Sequence, residues 1–312
     1  MSERETAVPE AAEPAPARDA IAAPQLPTTA AAQLMALQRT VGNRAASRIV
    51  ADGRIDRRPT QVRETWREQR TGNLGVYEGR TAFEIDFASL EATLTVKIRL
   101  VPDHGIATDV IDQVKADATA NFERLWDNKF ILTDERSHEQ YFLRTRLVFV
   151  DHGGHLRVRL RPGDGPTDQT TWYAEDAGIS FAHEASHTLG LRDEYIDPTS
   201  VPRRTATSPG VFQDHSVMGN YWNEGIDTAE VKLRHGQSLA GAIGRATRRR
   251  FRASYSGPYV GERIVRWRGI RDSLTAGTPE RAAAAGEVEA MEREMGIPEI
   301  SATVGEPYVP TP

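Results

Sequence analysis

The sequence predicts an α+β domain, and three observations carry that prediction. Residues 93–100 alternate Leu94, Val96, Ile98 and Leu100 with Thr93, Thr95, Lys97 and Arg99, the period of a strand with one buried face. After Pro102, residues Ile111, Val114, Ala118, Phe122 and Leu125 return at helical spacing behind Thr108, a suitable N-cap. A second helix begins near Ser180 and sets His183 and His187 one turn apart, with Glu184 beside the first of them.

The other elements follow in chain order. Residues 1–32 are rich in Ala, Pro, Glu and Thr and lack aromatics, too little apolar surface to offset the entropy of ordering, so a disordered arm is expected. Residues 33–50 carry Leu34, Leu37, Val41, Ala45 and Ile49 at helical spacing, a short amphipathic helix broken only by Gly42. Residues 51–80 are polar and Arg-rich, hold four glycines, and read as a linker. Patterned sequence then starts, which places the main domain at 81–255. Residues 141–150 and 155–161 read as two strands joined across Asp151-His152-Gly153-Gly154, whose glycines suit a tight hairpin turn. Residues 170–174 give a further short strand, and 227–250 a long helix. Residues 256–312 form an extension with a strand at 259–267 and an Ala/Glu-rich helix near 281–295, and no chemistry is assigned to it.

Composition limits what such a domain does. The 312 residues suffice for one catalytic domain with a sizeable core plus terminal extensions. A formal net charge of -5 provides no global positive field, so neither nucleic acid nor a membrane is expected as a partner. Arg248-Arg249-Arg250 with Arg252 reads as a solvated helix face. With no cysteine, disulfides, thiolate zinc sites and a thiol nucleophile are excluded. The N-terminus lacks the basic and continuous apolar regions of a secretory signal, and no stretch approaches the roughly 20 apolar residues that span a bilayer. A soluble monomer is expected.

The chemistry concentrates in one string. His183-Glu184-Ala185-Ser186-His187 sets two imidazoles about 40° apart around a helix and ~6 Å along it, within reach of one ion. A catalytic zinc takes three protein ligands and leaves a position for a water that it acidifies, and Glu184 is then placed to be the general base. The third ligand comes from outside the helix. Gly190 permits a sharp turn, and Asp193, six residues past His187, can swing back to the pair. Chance produces a His-Glu-x-x-His string in about one of sixty such chains, and with Gly190 and an Asp or His at 193 in about one of ten thousand. The bland alternative is a buried, hydrogen-bonded histidine pair on a core helix.

His183-Glu184-x-x-His187-x-x-Gly190-x-x-Asp193 resembles, over eleven residues, the zinc signature of the metzincin metallopeptidases in the variant where aspartate replaces the third histidine. Ser216-Val217-Met218, 31 residues after His187, resembles the Met-turn beneath the metal in that clan. The resemblance implies a metzincin-like fold with a twisted mixed sheet, a long helix, the zinc helix, the Met-turn and a C-terminal helix at 227–250. Residues 170–174 would be the edge strand that pairs antiparallel with substrate. It also implies Zn2+ held by His183, His187 and Asp193, with Glu184 as general base in hydrolysis of a protein or peptide substrate. The clan often has Tyr two residues after the Met, whereas Tyr221 is three after Met218. Asp193-Glu194-Tyr195 is similar to a group of bacterial metallopeptidases with Asp-Glu-Tyr after the zinc helix, which makes Glu194 a rival third ligand. A gluzincin arrangement would instead use Glu224 or Glu230, and would need neither Gly190 nor Met218. His215 reads as structural.

The string at residues 34–45, Leu-Met-Ala-Leu-Gln-Arg-Thr-Val-Gly-Asn-Arg-Ala, is similar to a segment of proteins associated with bacterial extracellular contractile injection systems. This second resemblance implies an effector or toxin cargo, made in the bacterial cytoplasm without a classical signal peptide. Residues 33–50 would load it into the contractile injection particle for delivery to a target cell. The alternative for that helix is packing on the peptidase domain. From another functional class, the competing reading is a non-enzymatic component of such a particle with a structural or vestigial zinc site. Glu184 separates the two, because a structural site has no use for a base there.

Overall fold

In the computed structural model residues 59–294 are described; the arm at 1–32, the helix expected at 33–50, and residues 51–58 and 295–312 lie outside them. The described chain is α+β, as its periodicities predict. Strands β1 (Thr60–Gln69) and β2 (Val76–Ala88) form an antiparallel hairpin, and β2 continues antiparallel onto β3 (Glu91–Pro102). The long helix α1 (Thr108–Trp126) leads to β4 (Phe130–Asp134) and β5 (Gln140–Phe149), then β6 (Leu156–Arg161) and β7 (Thr171–Tyr173). Helix α2 (Gly178–His187) follows, and after a long loop come the single turn α3 (Tyr221–Glu224) and α4 (Leu233–Thr247). Strand β8 (Phe251–Tyr255) and helices α5 (Gly257–Ser273) and α6 (Pro279–Glu294) complete it. All eight strands join one mixed sheet in the order β1-β2-β3-β5-β4-β8, with β6 on β3 and β7 on β6.

The alternation read at residues 93–100 is the inner face of β3: Leu94, Val96 and Ile98 are fully buried, each worth roughly 1.5–3 kcal/mol of transfer free energy. On the other face Lys97 pairs with Glu84 of β2 at 2.7 Å. Helix α1 lays Val114, Ala118, Phe122 and Leu125 into the core. It starts at Thr108 itself, with Ala107 in the cap position and no side-chain cap. At its far end Trp126 donates from Nε1 to Ser186 Oγ on α2 at 2.8 Å, joining the two helices inside the core. Their approach is close because Gly178 has no Cβ, which would stand 2.5 Å from Asn121 Nδ2. Among the described residues, no helix is long and apolar enough to cross a membrane.

Four further expectations are corrected. The linker read at 51–80 is, from Thr60 onward, strand β1, the turn and the start of β2. Its polarity concealed it: the inward positions of β1 include Glu68, buried because Arg203 neutralises it, and Gly79 is small so that the Trp66 ring can lie over it. The hairpin expected between residues 150 and 155 does not form. Ile98 pairs with Phe149 on one side and Leu156 on the other, so β5 and β6 flank β3, each parallel to it. Gly154 serves the passage over β3, where a Cβ would meet Arg99 N at 3.0 Å. The strand expected at 259–267 is helix α5, capped by Ser256 and burying Tyr259, Val260, Arg263, Ile264 and Trp267 at helical period. Finally, the helix expected from 227 starts only at Leu233: Ile226–Thr228 make a single 3-10 turn, after which Ser216 and Glu230 form a parallel bridge and Val217 N donates to Glu230 O at 2.9 Å.

Candidate metal centre

Helix α2 is buried from Ile179 to His187, so its two faces are divided by chemistry rather than by exposure. Ile179, Phe181, Ala182 and Ala185 belong to the core, with Phe181 stacked on Trp172 at 5.0 Å between ring centroids. His183, Glu184 and His187 offer ligand atoms that all lie within 4.8 Å of one another. The helix ends where β2 receives it: Ala82 N donates to Thr188 O at 2.8 Å, in the stretch where β2 has parted from β3. Gly190 then takes a φ of +89°, with Thr81 Oγ1 only 2.9 Å from where a Cβ would stand. That turn brings residue 193 back beneath the helix.

Asp193 Oδ1 stands 3.2 Å from His183 Nε2 and 3.3 Å from His187 Nε2. Two donors each 2.0–2.1 Å from one tetrahedral ion lie about 3.3–3.4 Å apart, so this spacing fits a zinc. The other ring nitrogens fix the tautomers. His183 Nδ1 faces Val217 O at 2.7 Å and His187 Nδ1 faces Leu191 O at 2.9 Å, and a carbonyl can only accept. Each Nδ1 therefore carries the hydrogen, which turns both Nε2 lone pairs onto a carboxylate oxygen. Three acceptors pointed at one place require a proton or a cation between them.

The ionisation behaviour agrees with that reading. Burial opposes protonation of His183 and His187, but Asp193 and, at His183, Glu184 outweigh it, and both pKa values lie above the ordinary imidazole range. Burial would raise Asp193, yet the two histidines hold it well below the usual carboxylate range. Glu184 behaves oppositely. Burial pushes its carboxyl up to about 8, with Asp193, Asp168 and Asp176 adding to the rise against the pull of His183. Its oxygens lie 3.8 Å from His183 Nε2 and 3.6 Å from His187 Nε2, beside the convergence point rather than in it.

The rival ligands are occupied elsewhere. Glu194 turns away from the histidines to Arg234, at 2.6 and 2.7 Å, and to Ser216 and His235. Glu224 accepts from His215 N at 2.6 Å, and Glu230 is enclosed by Lys232, Arg263 and Arg266. His215 bonds Thr228 Oγ1 and packs on Trp267. Met218 is fully buried, and the turn that carries it reaches the site through the Val217 carbonyl on His183. Tyr221 is 1% exposed with its ring 5.6 Å from that of His183.

Sequence reasoning missed the contribution of the β1–β2 hairpin. Trp66 packs 6.1 Å from the His187 ring and 5.6 Å from Tyr77. Burial, Glu184, Asp193 and Asp168 push the Tyr77 phenol up to about 12 against the pull of Arg70. Arg203, 2% exposed, reaches Asp193 Oδ2 at 3.4 Å and pairs with Glu68. None of these has a local signal, because the partners lie up to 135 residues apart. The edge strand at 170–174 is present as β7, but the outward backbone groups of Thr171 are bonded to Asp168 and the Tyr173 carbonyl accepts from Asp176. An incoming chain would find little free backbone there. Compared with family models, with curated proteins and with solved structures, the chain matches none.

Proposed function

We propose that the chain is a zinc-dependent endopeptidase with His183, His187 and Asp193 as metal ligands and Glu184 as general base. One observation carries the reading: two imidazole lone pairs and a carboxylate oxygen converge at 3.2–3.3 Å while both Nδ1 atoms are committed to carbonyls. Zinc in such a position supplies Lewis-acid activation of water and of a carbonyl group. The rest is the work of the chain. Val217 O and Leu191 O hold the imidazoles in the ligating tautomer, and the Gly190 turn holds Asp193. Glu184, buried and without a salt-bridge cation from Lys or Arg among the described residues, takes a proton from the attacking water and returns it to the leaving amine. A positive charge beside Glu184 favours its ionised form, the opposite of what burial does. The order of α1, α2, the Met218 turn and α4 supports a metzincin-like fold, and the peptide substrate rests on that resemblance.

The reading is tested by zinc content together with cleavage of a mixed peptide library by the parent and by Glu184→Gln. The variant should keep its zinc and lose 10²- to 10⁴-fold in kcat, roughly 3–5 kcal/mol of barrier. Turnover within a few-fold of the parent, or zinc without cleavage in both proteins, would leave a structural zinc site instead. Delivery by a contractile particle is the second part of the proposal and rests on residues 34–45, outside the described chain. Deleting residues 1–50 should abolish co-purification with particles and spare peptidase activity; the opposite pattern would tie the segment at 33–50 to the catalytic fold.

A further inference from the structure

We infer that the buried Glu68–Arg203 pair is a positioning device for the third metal ligand, which makes the β1–β2 hairpin part of the metal site. The inference rests on the ligand set proposed above. The two oxygens of Asp193 are divided: Oδ1 faces both imidazoles, while Oδ2 meets Arg203 Nη2 at 3.4 Å. A carboxylate held by one oxygen alone is free to rotate and can present either. Fixing Oδ2 selects Oδ1 as the ligand atom.

Arg203 is itself immobilised from three directions. Its Nε and Nη2 donate to the two Glu68 oxygens at 3.1 and 2.9 Å, and its Nη1 donates to Tyr195 O at 3.0 Å. The Tyr195 ring lies 5.0 Å beneath the guanidinium, and Asp197 Oδ2 stands 3.6 Å away. Both members of the pair are 2% exposed, a burial whose desolvation cost makes an ion pair a poor means of gaining stability. Attachment of the hairpin to the 195–203 loop does not depend on it. Thr71 N donates to Thr199 O, Val201 N donates to Gln69 O, and Arg70 pairs with Asp197 at the more exposed side. What the buried guanidinium adds is contact with Asp193. Its planar fork suits that task, since it grips Glu68 with two nitrogens and still reaches a second carboxylate.

The test measures zinc affinity of the full chain by competition with a chromophoric chelator, alongside thermal unfolding of the metal-free protein. Arg203→Met should weaken zinc binding 10- to 100-fold, the usual cost of losing a group that orients a ligand. Arg263→Met breaks another buried pair, with Glu230, and serves as control: it should lower the unfolding temperature yet leave zinc affinity within about twofold. Should Arg203→Met not fold, Glu68→Gln keeps the shape, removes the charge that anchors Arg203, and should weaken zinc about tenfold. Unchanged affinity in the foldable variants, or a loss matched by Arg263→Met, overturns the assignment while leaving the metal site standing. A parent chain that binds no zinc overturns both.

Discussion

Glu230 and Asp193 sit in opposite electrostatic settings. Glu230, 1% exposed, accepts from Lys232 at 2.7 Å and Arg263 at 2.9 Å, and Arg266 closes the cluster. Asp193 faces two imidazoles and a single guanidinium at 3.4 Å, and that guanidinium is shared with Glu68. Around Glu230 cations outnumber the carboxylate, and burial is compensated within the chain. Around Asp193 and Glu184 two acidic side chains and two imidazoles meet a single guanidinium that is shared with Glu68, and compensation is incomplete. Burial alone does not identify a functional acid; a deficit of positive charge at converging lone pairs does.

Removing ligands should break the comparison most completely. His183→Ala or His187→Ala leaves two of three donors, and the bound zinc should fall from one per chain to none on metal analysis after dialysis. Stoichiometric zinc in either variant would rule out the site. Asp193→Ala should lose more metal than Glu194→Ala, whose side chain serves Arg234 and Ser216 instead. The reverse order would make Glu194 the ligand.

The Glu230 cluster should respond in stability and not in metal. Glu230→Ala leaves Lys232, Arg263 and Arg266 facing one another without their shared partner, a loss of about 3–5 kcal/mol by denaturant unfolding. Its zinc content should match the parent. If instead zinc is lost and stability is not, the two clusters have exchanged roles.

Acidification should separate them more gently. The Glu230 pKa is lowered: burial would raise it, but Lys232, Arg263 and Arg266 prevail. A carboxyl depressed by folding contributes stability that is complete above its unfolded pKa, about 4.3, and is lost as pH falls through the folded value. At the centre the raised imidazole values act in the opposite sense, favouring the metal-free fold at low pH while protons compete with zinc for Nε2. Zinc release should therefore begin at a higher pH than unfolding when release and circular dichroism are followed together from pH 8 to 3. Coincident transitions would show that the metal carries the fold.

How much was legible follows the range of the interactions. Strand β3 and helix α1 were read correctly because their periods are local and their inner faces apolar. Helix α5 is also periodic, with buried residues at 259, 260, 263, 264 and 267 behind the Ser256 cap, but its β-branched and aromatic side chains suit a strand equally well. Strand β1 had a broken apolar period, its inner side mixing Val62 and Trp66 with Glu64 and Glu68. Its inward Glu68 is tolerable only opposite Arg203, and nothing near residue 68 announces residue 203.

By itself the sequence determined the spacing: a helix from near Ser180 sets His183 and His187 on one face whatever surrounds it, and a glycine at 190 lets the chain return. It left Asp193 and Glu194 as rivals, and tertiary structure alone separated them. Residues adjacent in the chain project to different sides, so Asp193 met the imidazoles while Glu194 met Arg234 across a separation of 40 residues. Spacing along a helix is fixed by its own hydrogen bonds. Which of two neighbouring carboxylates faces the imidazoles is fixed by distant partners such as Arg234, which holds the other one.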